Sequence, residues 1–139
     1  MTASFIVDCS VAMTWLFEDE ATVHTINLFH RLDAEAALVP ALWHLEVTNA
    51  LTVAERRGRV SRAKSDIFVS ALLQLEIEVD HESSSRAYAH LLPLCRKHQL
   101  SSYDATYLDL AIRRKLPLAT LDEPLRKAAK KLGVKLLGK

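Results

Sequence analysis

An α/β fold, with a parallel sheet covered by helices on both faces, is the architecture this sequence predicts. Three observations point to it. Short apolar runs of strand length, such as Phe5-Ile6-Val7 and Ala37-Leu38-Val39, alternate with longer amphipathic segments. Half of the residues are hydrophobic and only 6% are aromatic, an aliphatic, Ala-rich balance that disfavours an all-β sandwich. At 139 residues there is material for one ordinary core, so residues 1–139 are expected to form a single domain.

Taken in order, Ser4 to Val7 predicts a buried strand that runs into the helix-starting residues Asp8 and Ser10. A helix from about Val11 is broken by Glu18-Asp19-Glu20, and a second covers Thr22 to Leu32. Ala37 to Val39 forms the second strand before Pro40. A third helix, Leu42 to Arg57, stops at Gly58, and Ser61 caps a fourth to about Leu75. Ile77 to Val79 is the third strand, Ser84 to His98 the fifth helix, and Ser102 to Arg114 the sixth, capped by Ser101 or Ser102. Leu118 and Ala119 give a fourth strand. Pro124 opens a last helix to about Leu132, Gly133 ends it, and Val134 to Leu137 is the fifth strand. Ligands of such sheets bind at the carboxyl ends of strands, where Asp8 and Asp122 both fall.

Composition excludes several classes. With glycine only at positions 58, 133 and 138, neither GxGxxG nor a Walker A loop is present. The six histidines contain no HxxxH pair, His44-Leu45-Glu46 is followed by no PCxxC, and GxSxG is absent, which removes zinc and serine-hydrolase chemistry. Cys9 and Cys95 form no disulfide framework, and the apolar start lacks a basic segment and is interrupted by Asp8. A cytoplasmic location without a membrane partner is the expectation. Net charge is +1, yet Arg113 to Lys139 holds nine Lys or Arg against two acids. Arg126, Lys127, Lys130 and Lys131 therefore read as a solvated helix face compatible with RNA contact. The stripe Trp15-Leu16-Phe17 reads as core, with a docking groove as the alternative for part of it.

Four carboxylates carry the functional reading: Asp8, Glu46, Asp104 and Asp122. Four clustered negative charges repel, so a fold that gathers them needs a cation, and hard oxygen ligands suit Mg²⁺ or Mn²⁺. Each acid also has a local explanation. Asp8 and Asp122 read equally as helix caps, as Ser10 does, and Thr120 as a plain strand residue. On its helix Glu46 projects with Leu42, Ala50 and Val53, opposite the polar face of His44, Thr48, Thr52 and Glu55, and Asn49 lies on the flank of the Glu46 face. Asp104 follows Ser101 as in a capping box, but its stripe continues inward through Leu108 and Ala111. Asp109 points the other way and pairs with Arg113 four residues on, which reads as solvated surface.

The segments Ile6-Val7-Asp8-Cys9-Ser10, Glu46-Val47-Thr48-Asn49-Ala50-Leu51, Ser102-Tyr103-Asp104-Ala105 and Leu118-Ala119-Thr120-Leu121-Asp122, in this order and spacing, resemble the PIN-domain ribonucleases of the VapC-type toxin group over essentially the whole chain. The resemblance implies a PIN-like three-layer α/β/α sandwich with strand order 3-2-1-4-5 and an acidic pocket of Asp8, Glu46, Asp104 and Asp122. It implies supporting roles for Ser10, Thr120 and Asn49. It also implies a Mg²⁺- or Mn²⁺-dependent endoribonuclease that leaves 5′-phosphate and 3′-hydroxyl ends, pairs as a homodimer and is restrained by an antitoxin protein. One departure is the absence of a further acid two or three residues beyond Asp122, where Glu123 and Pro124 follow directly. The alternatives are a non-catalytic PIN-like module that binds RNA or protein, and a receiver-like phospho-switch. The second requires an acid beside Asp8, where Cys9 stands.

Overall fold

A computed structural model describes residues 2–139. Met1, the first residue of the expected domain, lies outside the described residues. Five parallel strands, β1 (Ala3–Val7), β2 (Ala36–Pro40), β3 (Ile77–Asp80), β4 (Leu118–Ala119) and β5 (Leu136–Leu137), form one sheet of order β3-β2-β1-β4-β5. The central strand β1 buries Phe5, Ile6 and Val7 completely, which is why it reads as an unbroken apolar run. Ile6 pairs with both Leu38 and Leu118. Strand order reverses between β1 and β4, so a crevice is expected at their carboxyl ends. Asp8 follows β1 there, and Thr120 follows β4.

The helices are α1 (Cys9–Thr14), α2 (Val23–Arg31), α3 (Leu42–Arg56), α4 (Arg62–Leu73), α5 (Ser83–Arg86), α6 (Leu92–His98), α7 (Ser102–Arg114) and α8 (Glu123–Lys131). The acid triplet Glu18–Glu20 forms a 3₁₀ turn, its carboxylates Asp19 and Glu20 held by Arg59. Thr22, Ser61, Ser101 and Asp122 cap α2, α4, α7 and α8 through side-chain oxygens. The expected single helix from Ser84 to His98 is divided, because a π-helical turn, Ala87–Leu91, separates α5 from α6. Pro93, with no N–H to bond one turn back, is the second residue of α6, just past that wider turn. Among the described residues no helix is long and apolar enough to cross a membrane.

Two inward faces differ from the pattern read in the sequence. On α3 the fully packed stripe is Trp43, Val47, Leu51 and Ala54, whereas Leu42, Glu46, Ala50 and Val53 are half-buried along its edge. With Trp43 completely buried, Glu46 one turn on sits at the rim of the core, where the charge of Asp8 acts on it. On α7 every residue from Ala105 to Ala111 is buried, so this helix has no solvated side over two turns. Trp15, Leu16 and Phe17 pack on the core as expected, and Trp15 Nε1 donates to the Thr25 carbonyl at 3.0 Å.

Candidate active site

Chain entry into α1 builds the first part of the site. Asp8 leaves β1 in extended conformation and caps α1, its Oδ1 accepting from the Val11 N–H at 3.1 Å and from the Ser10 hydroxyl at 2.6 Å. Its Oδ2 accepts from the Thr120 hydroxyl at 2.5 Å, across the sheet from the end of β4. Both hydroxyls are used twice: Ser10 Oγ accepts from the Leu121 N–H and Thr120 Oγ1 from the Asp122 N–H, each at 3.0 Å. Ser10 and Thr120 thereby tie the ends of β1 and β4 together and fix the path of the chain to Asp122. Behind them Arg126 donates to the carbonyls of Thr120 and Leu137 at 2.7 and 2.9 Å. Gly138 (φ +103°) leaves only 3.3 Å between the Thr120 carbonyl and the place a Cβ would occupy, so a side chain there would press on the strand end.

Asp104 and Asp122 approach this floor from the N-terminal turns of α7 and α8. The Asp104 carboxyl is pushed up to about 6, first by burial, then by the charge and hydrogen-bonding proximity of Asp122, and then by Asp8 and Glu46. The groups acting on it are all acids. Asp8 is likewise raised, by burial outweighing its hydroxyl and N–H donors. Glu46 is raised by burial, against a hydrogen bond from Tyr107. The Cys9 thiol, pressed by burial and by the charges of Glu46 and Asp8, rises to about 12 and stays protonated near neutrality.

The sequence pattern did not single out Tyr107, whose ring continues an apolar stripe. It is 1% exposed, and its hydroxyl donates to Glu46 Oε1 at 2.5 Å. That bond occupies one Glu46 oxygen and orients the other. Tyr107→Phe should lower activity roughly tenfold, the loss of about one hydrogen bond to a charged group, while Glu46→Gln should make the second substitution nearly silent. Additive losses in this double-mutant cycle would show that Tyr107 acts by packing alone.

Asn49 is exposed on α3 and, among the described residues, makes no side-chain hydrogen bond. It is not drawn to the acids. The reading of Asp109 as solvated surface is corrected: this residue is 6% exposed and accepts from Arg86 at 2.7 and 2.9 Å as well as from Arg113 at 3.1 Å. The expected pair with Arg113 is present, but the π-helical turn and α6 pack on the face that an isolated helix would expose, and Arg86 of α5 reaches over to Asp109. Asp80, at the end of β3, joins the same network through Arg113 at 3.1 Å and Arg114 at 3.5 Å.

Two kinds of acid thus occupy the protein. Among the described residues three acids are buried: Asp8, Asp80 and Asp109. Asp80 and Asp109 have arginine partners. Asp8 has none, and neither do Glu46, Asp104 and Asp122. No three His, Cys, Asp or Glu side chains among the described residues are close enough to grip an ion directly. The donor set still fits a hard cation such as Mg²⁺, which keeps part of its water shell and reaches carboxylates through it.

The sheet has order 3-2-1-4-5, and carboxylates without arginine partners stand around the switch between β1 and β4. The PIN domain family model matches residues 5–131, and the chain belongs to that family, whose fold generally serves nucleases, usually with divalent metal. Among solved structures the chain is similar to that titled crystal structure of PAE2754 from Pyrobaculum aerophilum, at 24% identity and a TM-score of 0.70 over 96% of this chain and 83% of the other. No curated protein matches the chain by sequence.

Proposed function

We propose that this chain is a divalent-metal-dependent endoribonuclease and the toxin of a toxin–antitoxin pair. The observation that carries the nuclease reading is the contrast between the acids: the buried carboxylates of the β3 edge are neutralised by arginine, whereas those at the β1/β4 switch are left to an external cation. Asp8, Asp104 and one or both of Glu46 and Asp122 would hold Mg²⁺ or Mn²⁺, some of them through water. When bound, such an ion supplies a more acidic water and neutralises charge on the phosphate. The chain's own residues do the rest. Ser10 and Thr120 fix Asp8, Tyr107 fixes Glu46, and the free oxygen of Glu46 or Asp122 accepts a proton from the water that attacks phosphorus in line.

The toxin reading adds a homodimer and a protein antitoxin. A groove of about 680 Å³ with an apolar floor that includes Trp15, Leu16 and Ile67, the last 71% exposed, and with Glu18, Asp19, Arg59 and Lys64 around it, supports a protein partner with an apolar and charged face. Asn49 keeps at most an outer role, in contact with the RNA.

Purified protein should cut an RNA oligonucleotide with Mg²⁺ or Mn²⁺, leave 5′-phosphate ends and stop when EDTA is added. Cleavage that continues in EDTA would exclude the metal mechanism, and RNA binding without cleavage in any divalent ion would leave a non-catalytic binding module.

A further inference from the structure

Beside the acids, α8 and the end of α6 enclose an open cleft of about 960 Å³. Lys97 and His98 form one wall and Lys127, Lys130 and Lys131 the other, while Glu123 joins the cleft to its neighbour Asp122. The lysines are placed there by packing: Leu125, Ala128 and Ala129 bury the opposite face of α8. Lys97, Lys127, Lys130 and Lys131 are exposed, and among the described residues none of them forms an ion pair. Compensation of the helix dipole accounts for Lys130 and Lys131 in the last turn of α8, but not for Lys127 or for Lys97 across the cleft.

A concave basic surface whose lining reaches Glu123, next in the chain to Asp122, fits a polyanion that runs along α8 toward the acids. No Phe, Tyr or Trp lines the cleft, and four lysines dominate its walls, so contact with phosphates outweighs stacking of bases. Resting on the nuclease reading above, we infer that this cleft holds the sugar-phosphate backbone of the RNA strand flanking the scissile bond, and holds it without regard to sequence. Base choice must then be made elsewhere. Arg126 also lines the cleft, but its hydrogen bonds to the Thr120 and Leu137 carbonyls make it part of the scaffold.

The test measures binding of a labelled unstructured RNA in EDTA as a function of KCl, comparing the wild type with the triple variant Lys127→Gln, Lys130→Gln, Lys131→Gln and with Lys97→Glu on the other wall. The triple variant should bind at least roughly tenfold more weakly and lose about 2 from the slope of log affinity against log salt, about 0.7 for each phosphate contact on a single strand. Lys97→Glu should lower the slope by at least about 0.7. Two RNAs of unrelated sequence should lose affinity equally. Unchanged affinity and slope in both variants, at unchanged melting temperature, would overturn the inference, as would an absence of RNA binding by the wild type. Hydrolysis of a small chromogenic phosphodiester, too short to reach the cleft, should be equal in wild type and triple variant. If the wild type hydrolyses neither this ester nor RNA with any divalent ion, the nuclease reading fails while the binding comparison still decides the cleft.

Discussion

Asp104→Asn should lose at least about two orders of magnitude in metal-dependent RNA cleavage, the scale on which removal of one electrostatic stabiliser acts in other enzymes. The same variant should be more stable than the wild type in EDTA. Both effects have one cause. Asp104 is half-buried among Asp122, Asp8 and Glu46, so its charge costs the fold free energy that only a cation returns. Folding is otherwise spared, because Ser101 caps α7 through the backbone N–H of residue 104 and not through its carboxylate. Asp8→Asn is a less clean probe, since the Asp8 side chain is itself a helix cap and the acceptor for two hydroxyls.

The pH dependence follows with a definite sign. Asp104, at about 6 in the fold against about 4 for an unperturbed aspartate, binds its proton more tightly when native. Its contribution is therefore fully present below about pH 4 and is lost as pH rises through 6. Asp80 and Asp109 slope the other way: despite burial, their arginine partners hold both below the ordinary value, so their contribution appears above about pH 4 and is lost in acid. The difference in melting temperature between wild type and Asp104→Asn isolates the first effect. In EDTA the variant's advantage should grow from pH 4 to 7. A constant difference would mean that neither burial nor the acids around Asp104 raise its pKa.

Asp109→Asn should destabilise the protein by about 2 to 3 kcal/mol, below the range for breaking a fully buried ion pair because Arg113 keeps Asp80 and Glu82. Thermal melting should fall by roughly 3 °C for each kcal/mol lost. Cleavage by the folded fraction should be unchanged, because the arginine network lies at the β3 edge and includes none of the four site acids. Wild-type melting would show that Arg86 and Arg113 contribute nothing to stability through Asp109. The two aspartates of one helix thus separate activity from stability: position 104 trades stability for chemistry, and position 109 does the reverse.

That separation was only half legible in the sequence. Periodicity placed Asp104 inward and Asp109 outward, a rule that assumes one dry face and one wet face. Helix α7 has no wet face along Ala105–Ala111, because the segment from α5 to α6 covers the side away from the sheet. Strand identity and the positions of Asp8, Thr120 and Asp122 were legible because short apolar runs end at those residues, and sheet order followed from the family resemblance. Tyr107 was not, since a Tyr in an apolar stripe reads as core and its partner Glu46 lies 61 positions away. Arg126 read as one of four surface cations. Its bonds to the carbonyls behind Thr120 depend on how β4 and β5 end, which no local pattern encodes.

The central claim is that carboxylates left without arginine at the β1/β4 switch form a centre for a divalent ion. Calorimetric titration of Mn²⁺ into the wild type and Asp104→Asn tests it most directly. The account predicts saturable binding by the wild type with proton release at pH 6, because Asp104 must ionise to receive the cation, and binding weakened at least roughly tenfold in the variant. Equal binding by the two proteins, or no heat from the wild type at millimolar Mn²⁺, would contradict it.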